Sequence, residues 1–143
     1  MKTKFVLAAL ATVFLSGAAQ ARNDVMTLPL DKIIGTDKAK QALHEVPVYF
    51  AGQDHPAISS NWGEVSTSRK TNAVGKSDEE ACQWALLSAL KVLQENAKKR
   101  GYDAVVNVRS NYEHKEFSSA TEFQCGAGNI MAGVALKGDI VKF

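Results

Sequence analysis

The sequence predicts an α+β fold in which one main helix packs on a small, mostly antiparallel sheet, in the order β-β-α-β-β. Residues 78–100 have the apolar spacing of a long amphipathic helix, with clear start and end signals. Segments of alternating polar and apolar residues lie on both sides of this helix. Cys82 in the helix and Cys125 in a later strand can meet if the apolar faces of the two elements pack together.

The first 21 residues have the composition of a cleavable signal peptide. A basic start at residues 1–4 precedes an apolar run at residues 5–15 and the small-x-small sequence Ala19-Gln20-Ala21. The run is too short for a permanent membrane anchor, and residues 15–18 lack the cysteine of a lipoprotein cleavage site. We therefore expect a periplasmic or secreted protein with no membrane segment after cleavage. The predicted divisions are a signal peptide at 1–21, an N-terminal extension at 22–45 and one domain at 46–143.

The charge balance argues against nucleic acid as a partner. The chain has 17 Lys and Arg against 15 Asp and Glu, a net charge of +2. Cleavage removes Lys2 and Lys4, so the mature protein is neutral. Its longest basic run is Lys98-Lys99-Arg100, which is too short for a nucleic-acid or anionic-membrane surface.

The chain before the long helix predicts two strands. Residues 22–45 show no long periodic pattern, although Thr36 can cap a short helix at 38–43. Residues 46–51 are typical of a short strand, with Pro47 at its start or on an edge. Residues 62–71 alternate as a strand does. This alternation places Trp62, Glu64, Ser66 and Ser68 on one side.

The long helix has the strongest local signals. Ser77-Asp78-Glu79-Glu80 is a capping box, in which Ser77 accepts a bond from the Glu80 amide and the Glu80 carboxylate accepts one from the Ser77 amide. Lys98-Lys99-Arg100 and then Gly101 are typical of a helix end. The apolar stripe that is predicted to lie on the sheet consists of Cys82, Ala85, Leu86, Ala89, Leu93 and Ala97.

The remaining chain predicts strands separated by a turn and a glycine-rich break. The first covers residues 103–112, with Val106, Val108 and Tyr112 on one face, and a polar turn follows at 113–119. Residues 120–125 alternate so that Phe123 and Cys125 face inward. Gly126-Ala127-Gly128 suggests a bulge or break, and residues 130–141 resume as a strand.

The two cysteines favour a disulfide. An even pair in an oxidising compartment is typically bonded. The alternative is a pair of zinc or copper ligands, which needs further ligands. His44, His55 and His114 show no metal-type spacing with either cysteine, so we expect no metal site and no cofactor.

The order of elements and three short motifs resemble a known group of domains. The motifs are Gly63-Glu64-Val65-Ser66 before the helix, Ala104-Val105-Val106 after it and Gly133-Val134-Ala135-Leu136 near the end. They are similar to the YbjQ-type domains, once described as heavy-metal-binding, and to the signalling domain of the envelope-stress lipoprotein RcsF. RcsF-like proteins carry a lipidated cysteine and two disulfides, whereas this chain has neither a lipobox nor a second cysteine pair.

Two motifs suggest chemistry that we weigh against structural roles. Gly75-Lys76-Ser77 copies the end of a phosphate-binding P-loop, but Lys70 stands where that loop needs its first glycine. Ser77 is already explained as a helix cap. Cys82 near a helix start could act as a nucleophile with His114 as its base, but a disulfide would remove the thiolate.

Two groups of residues are candidate binding surfaces. Tyr49, Phe50 and Trp62 form a docking patch if they are exposed, although core packing is the more usual role of such residues. The second candidate is a polar strand face formed by Asn107, Arg109, Asn111, Glu122 and Gln124.

No set of nucleophile, base and orienting group emerges, so we expect a non-catalytic protein rather than an enzyme. The expected role is binding, either to an envelope protein or to further copies of the same chain. The alternative is a metal-responsive or metal-buffering protein that uses the histidines with Cys82 and Cys125.

Overall fold

A long helix and the sheet that it covers organise the structure, a computed structural model that describes residues 22–143. The signal peptide predicted at 1–21 lies outside these residues. The strands are β1 (Asp24–Pro29), β2 (Val48–Phe50), β3 (Ser60–Asn72), β4 (Ala104–Ser110), β5 (Glu122–Ala127) and β6 (Met131–Lys142). The helices are α1 (Asp37–Ala42) and α2 (Asp78–Lys99), and a 3₁₀ turn covers Tyr112–His114.

Strand β6 is the centre of the six-stranded sheet. One of its edges pairs with β3 along the full strand. Its other edge pairs with β5 in the N-terminal half and with β4 in the C-terminal half. Strand β1 extends the sheet from β5, and β2 extends it from β4 as the one parallel pair of the described sheet. The predicted α+β class is confirmed, with six strands in place of the simpler β-β-α-β-β order.

Helix α2 has the start and the buried face that its sequence predicts. Ser77 Oγ accepts a hydrogen bond from the Glu80 amide at 3.1 Å. The reciprocal bond from the Ser77 amide to the Glu80 carboxylate is absent among the described residues. Every residue of the predicted stripe is fully buried, because α2 lies across β3, β5 and β6. After Arg100, Gly101 adopts φ 71° and its amide bonds to Lys98 O, which ends the helix.

The predicted disulfide joins this helix to the sheet. Cys82 and Cys125 are bonded, with Cα atoms 5.8 Å apart, and both are completely buried. Phe123 lies on the same face of β5, as the predicted alternation requires. The bond therefore links the first turns of α2 to the strand beneath them.

One face assignment in β4 is wrong because of a bulge. Asn107 adopts φ 51°, and the register with β6 shifts between Val106 and Arg109. The extra residue reverses the alternation, so Val105 and Val108 both enter the core beneath α2. Val106 instead packs on the opposite face with Val141. Val106 and Val108 therefore do not share a face.

The predicted glycine break begins two residues too early, at Gly126 instead of Gly128. Strand β5 continues through Gly126, which pairs with Gly133 of β6. The ring of Tyr112 lies against Gly126 on the face away from α2. A Cβ atom at Gly126 would come within 2.0 Å of Tyr112 Oη, so this close approach requires glycine. The chain turns after Ala127, where the Gly128 amide donates to Met131 O.

The N-terminal region supplies parts of the same fold. Strand β1 pairs with β5 from Asp24 to Pro29, a strand that the sequence pattern does not predict. Thr36 caps α1 through a bond from the Ala39 amide, as predicted. Arg22 also reaches the start of α2, where its guanidinium binds the Asp78 carboxylate at 2.7 and 2.9 Å.

We predict that loss of the disulfide lowers the stability of the fold. The 43-residue separation gives roughly 4 kcal/mol in the chain-entropy model, and loss of a native bridge typically costs about 2–5 kcal/mol. We expect Cys82→Ala and Cys125→Ala to lower the free energy of unfolding by similar amounts. The double variant should lose little more than either single variant, because each single substitution already removes the same bond. Urea unfolding measures this. The reduced parent protein is the control, and additive losses would contradict the prediction.

We also predict that the side chain of Ser77 stabilises the fold as a helix cap. Ser77→Ala should lower the free energy of unfolding by about 0.5–2 kcal/mol, whereas Ser77→Asp should nearly preserve it, because aspartate also accepts the Glu80 amide. Thermal melts of both variants and the parent, with and without inorganic phosphate, test the cap against a phosphate site. A phosphate-dependent gain in melting temperature that Ser77→Asp abolishes would contradict the capping role.

Candidate functional site

The structure does not bring the five residues of the predicted polar face together at one site. Arg109 joins a charge cluster on the sheet face opposite α2. Asn111 follows β4, and its backbone amide donates to Ala135 O at 2.8 Å. The Gln124 side chain lies 3.4 Å from Thr27 Oγ1, between β5 and β1. Glu122 begins β5 opposite Pro29, and Asn107 occupies the bulge.

The charge cluster consists of Glu64, Arg109, Glu116, Lys137 and Asp139. Arg109 is largely buried and bonds to Glu64, with Glu116 at 3.4 Å. Lys137 Nζ lies 3.1 Å from Glu116 and 3.7 Å from Glu64. The cluster joins β3, β4, β6 and the loop after the 3₁₀ turn. Three carboxylates and two cations give it a formal charge of −1.

Burial and charge shift the pKa values in this cluster in opposite directions. The hydrogen bond from Lys137, together with the charge of Arg109, lowers the pKa of Glu116. Burial raises the pKa of Asp139, which Glu64 raises further and Arg109 partly opposes. Burial disfavours the charge on Arg109, but its hydrogen bond to Glu64 and the nearby carboxylates raise its pKa overall. The raised pKa means that the folded state disfavours the charged form of Asp139.

Sequence reasoning found Arg109 but missed its four partners. Glu64 appeared as part of a strand alternation and of a resemblance motif, and Glu116 lies in a polar turn. The spacing of Lys137 and Asp139, two residues apart on one strand, was the available signal that both side chains share a face. Their proximity to Arg109 depends on the β4–β6 register, which no local pattern specifies.

A larger candidate site is an apolar cleft of about 880 Å³ on the α2 side of the sheet. It lies between the segment that follows β1, helix α1, strand β2 and the second half of α2. Its volume falls in the range of small-molecule sites. Its main apolar lining is formed by Leu30, Ile34, Leu43, Val46, Phe50 and Leu90.

Two glutamine side chains hold the walls of this cleft. Gln94, only 2% exposed, accepts from the His44 amide and donates to the carbonyls of His44 and Val46 at 2.8–2.9 Å. Gln53 accepts from the Phe50 amide and donates to Ala120 O at 2.8 Å. Both side chains therefore bind backbone groups of the walls, so an occupant meets mainly apolar surface.

Charged residues surround the mouth of the cleft. Asp31, Glu45 and Glu122 supply three carboxylates, and Lys40 supplies one ammonium group. All four residues are exposed. The imidazole of His44 is turned to Glu95, whose carboxylate lies 3.2 Å away. The rim is therefore predominantly negative around an apolar interior.

The sulfur chemistry considered from the sequence is not available in the folded chain. Cys82 is bonded to Cys125, so the nucleophile hypothesis with His114 is wrong. His44 lies beside Glu95, His55 stacks near Phe143, and His114 lies in the 3₁₀ turn. Within residues 22–143, no group of three or more His, Cys, Asp or Glu side chains could hold a metal ion.

The three aromatic residues do not form one docking patch. Phe50 is buried, and Tyr49 packs edge-on against Phe143. Trp62 is 46% exposed, and the guanidinium group of Arg100 lies over its ring, 3.9 Å from the ring centre. A register shift between Asn61 and Gly63 places Trp62 outside the simple alternation of β3.

No protein-family model, curated protein or solved structure matches this chain. The resemblance to the YbjQ-type and RcsF domains therefore stays a prediction. The part of the chain that the structure describes contains no helix long and apolar enough to cross a membrane.

The raised pKa of Asp139 gives a pH-dependent prediction. Its charge destabilises the folded state above the folded-state pKa, and this cost disappears below the ordinary value of 3.8. We expect Asp139→Asn to raise the free energy of unfolding at pH 7 and to lose that advantage as the pH falls toward 3.8. Urea unfolding at both pH values measures it. Asp54→Asn, at an exposed position, controls for net charge. An advantage that does not change with pH would refute the prediction.

Proposed function

We propose that this chain is a secreted, non-catalytic binding protein that holds an apolar group in the cleft between α1, α2 and β2. The cleft itself carries the proposal. Its volume suits a small molecule or a few side chains of a peptide, and its walls are apolar with their amide groups already bonded. Such a surface favours transfer of apolar groups out of water.

The charge at the mouth selects among apolar ligands. Three exposed carboxylates and one lysine disfavour a ligand that ends in an anionic group, such as a fatty acid. A neutral or cationic head group avoids this repulsion. We therefore assign the cleft to an amphiphile, or to an apolar peptide segment, whose polar end is neutral or positively charged.

Several observations support an extracytoplasmic location for this role. A buried disulfide is typical of proteins that fold in oxidising compartments. The first 21 residues carry the sequence pattern of a signal peptide. The resemblance to the RcsF signalling domain extends the proposal to the bacterial envelope, where an envelope protein would be the larger partner. The metal-buffering alternative has no comparable support, because its only sulfur ligands are bonded to each other.

Fluorescence of the neutral apolar dye N-phenylnaphthylamine tests the cleft. We expect the dye to bind saturably to the mature protein. Its Kd should be roughly tenfold higher for Ile34→Glu, because a carboxylate would enter the apolar lining. Ile58→Glu is the matched control. Ile34 and Ile58 are 41% and 42% exposed, but only Ile34 lines the cleft.

Competition by charged detergent monomers tests the rim. Dodecyltrimethylammonium should displace the dye at lower concentration than dodecyl sulfate, both below their micelle concentrations. Absence of saturable dye binding, or equal weakening by Ile34→Glu and Ile58→Glu, would contradict the cleft as the binding site.

A further inference from the structure

Strand β3 has a free edge that is the longest in the described sheet. Its thirteen residues, Ser60–Asn72, pair with β6 on one side only. The other strands with one neighbour, β1 and β2, have six and three residues. An edge of this length presents a row of unpaired amide and carbonyl groups to which another strand can bond.

The register with β6 identifies which residues present those groups. The Ala73 amide donates to Ile130 O, and the same register continues from Asn72 to Gly63. In an antiparallel ladder, alternate residues bond to a given neighbour. Odd-numbered residues such as Thr67 therefore bond to β6, and the backbone groups of the even-numbered residues point to the free edge. These residues are Glu64, Ser66, Ser68, Lys70 and Asn72.

The charges along this edge are complementary across a twofold axis. Glu64 belongs to the charge cluster of formal charge −1, whereas Lys70 forms no ion pair within the described residues. Their side chains share the sheet face opposite α2. If two β3 strands pair antiparallel about Thr67, Ser66 opposes Ser68 and Glu64 opposes Lys70 of the second copy.

The two adjacent twofold registers do not place Glu64 opposite Lys70. An axis at Ser66 would place Glu64 opposite Ser68, and an axis at Ser68 would place it opposite Asn72. The register about Thr67 brings one lysine from each copy to the cluster of the other, which cancels its formal charge. It also pairs residues whose backbone groups both point outward, as an antiparallel ladder requires.

We propose that β3 is a homodimer interface, in which two copies of this chain pair antiparallel about Thr67 and join their six-stranded sheets into one. Backbone hydrogen bonds would supply most of the contact. The Glu64–Lys70 pairs would fix the register and exclude strands without this charge pattern. The proposal is independent of the cleft, because no β3 residue lines it.

Sedimentation of the mature protein over a wide concentration range tests the dimer. We expect a reversible monomer–dimer equilibrium, with a dimer Kd at least tenfold higher for Lys70→Glu and nearly unchanged for Lys70→Arg. Lys91→Glu, an exposed position on α2, makes the same charge change away from the edge and should behave as the parent. A parent that remains monomeric throughout, or a Lys70→Glu variant that dimerises as the parent does, would overturn the proposal.

Cysteine crosslinking tests the register. Thr67→Cys should give a covalent dimer under mild oxidation, because residue 67 faces itself across the axis, whereas Arg69→Cys faces Val65 and should not. Mass spectrometry must show that Cys82–Cys125 stays intact. Crosslinking through position 69 but not 67 would overturn the proposed register.

Discussion

The packing of α2 on the sheet is the constraint on which the rest of the structure depends. Ala81, Ala85, Ala89 and Ala97 are completely buried, so the helix backbone lies close to the strands. Close-packed protein interiors tolerate little displacement. The Cys82–Cys125 bond fixes the start of the helix over β5. With α2 fixed, β6 is held beneath it, and the remaining strands are bonded to β6 directly or through β4 and β5.

The parts of the fold that were predictable are those with strong local signals. Helix α2 has a cap, an apolar stripe and a glycine end, and the disulfide follows from one pair of cysteines in a chain that is predicted to be exported. The bulge at Asn107 is different. Asparagine adopts the left-handed region more often than most residues do, but its presence in a strand does not by itself indicate a bulge. Strand β1 was missed for a related reason. Its pairing with β5 joins segments about one hundred residues apart, and only the folded sheet specifies that contact.

The same reasoning explains why only part of the candidate sites was predictable. Arg109 stood out as a charge on a strand, but its partners come from β3, β6 and a loop. The sequence gives even less indication of the cleft than of the charge cluster. Its walls meet because Gln94 binds the backbone at residues 44–46, and a lone glutamine within a helix does not indicate that bond. Residues of the predicted N-terminal extension thus form one wall of the apolar cleft.

The two proposed surfaces lie in different parts of the molecule, so each can act without blocking the other. The cleft is built by the N-terminal segment, α1 and β2 against α2, whereas the free edge belongs to β3. A dimer through β3 would leave one open cleft in each copy. Two sites on one particle raise the avidity for a surface or a polymer that displays several ligands, even when each cleft binds weakly. The proposed binding role would gain from this arrangement wherever the ligand is displayed in many copies on one surface.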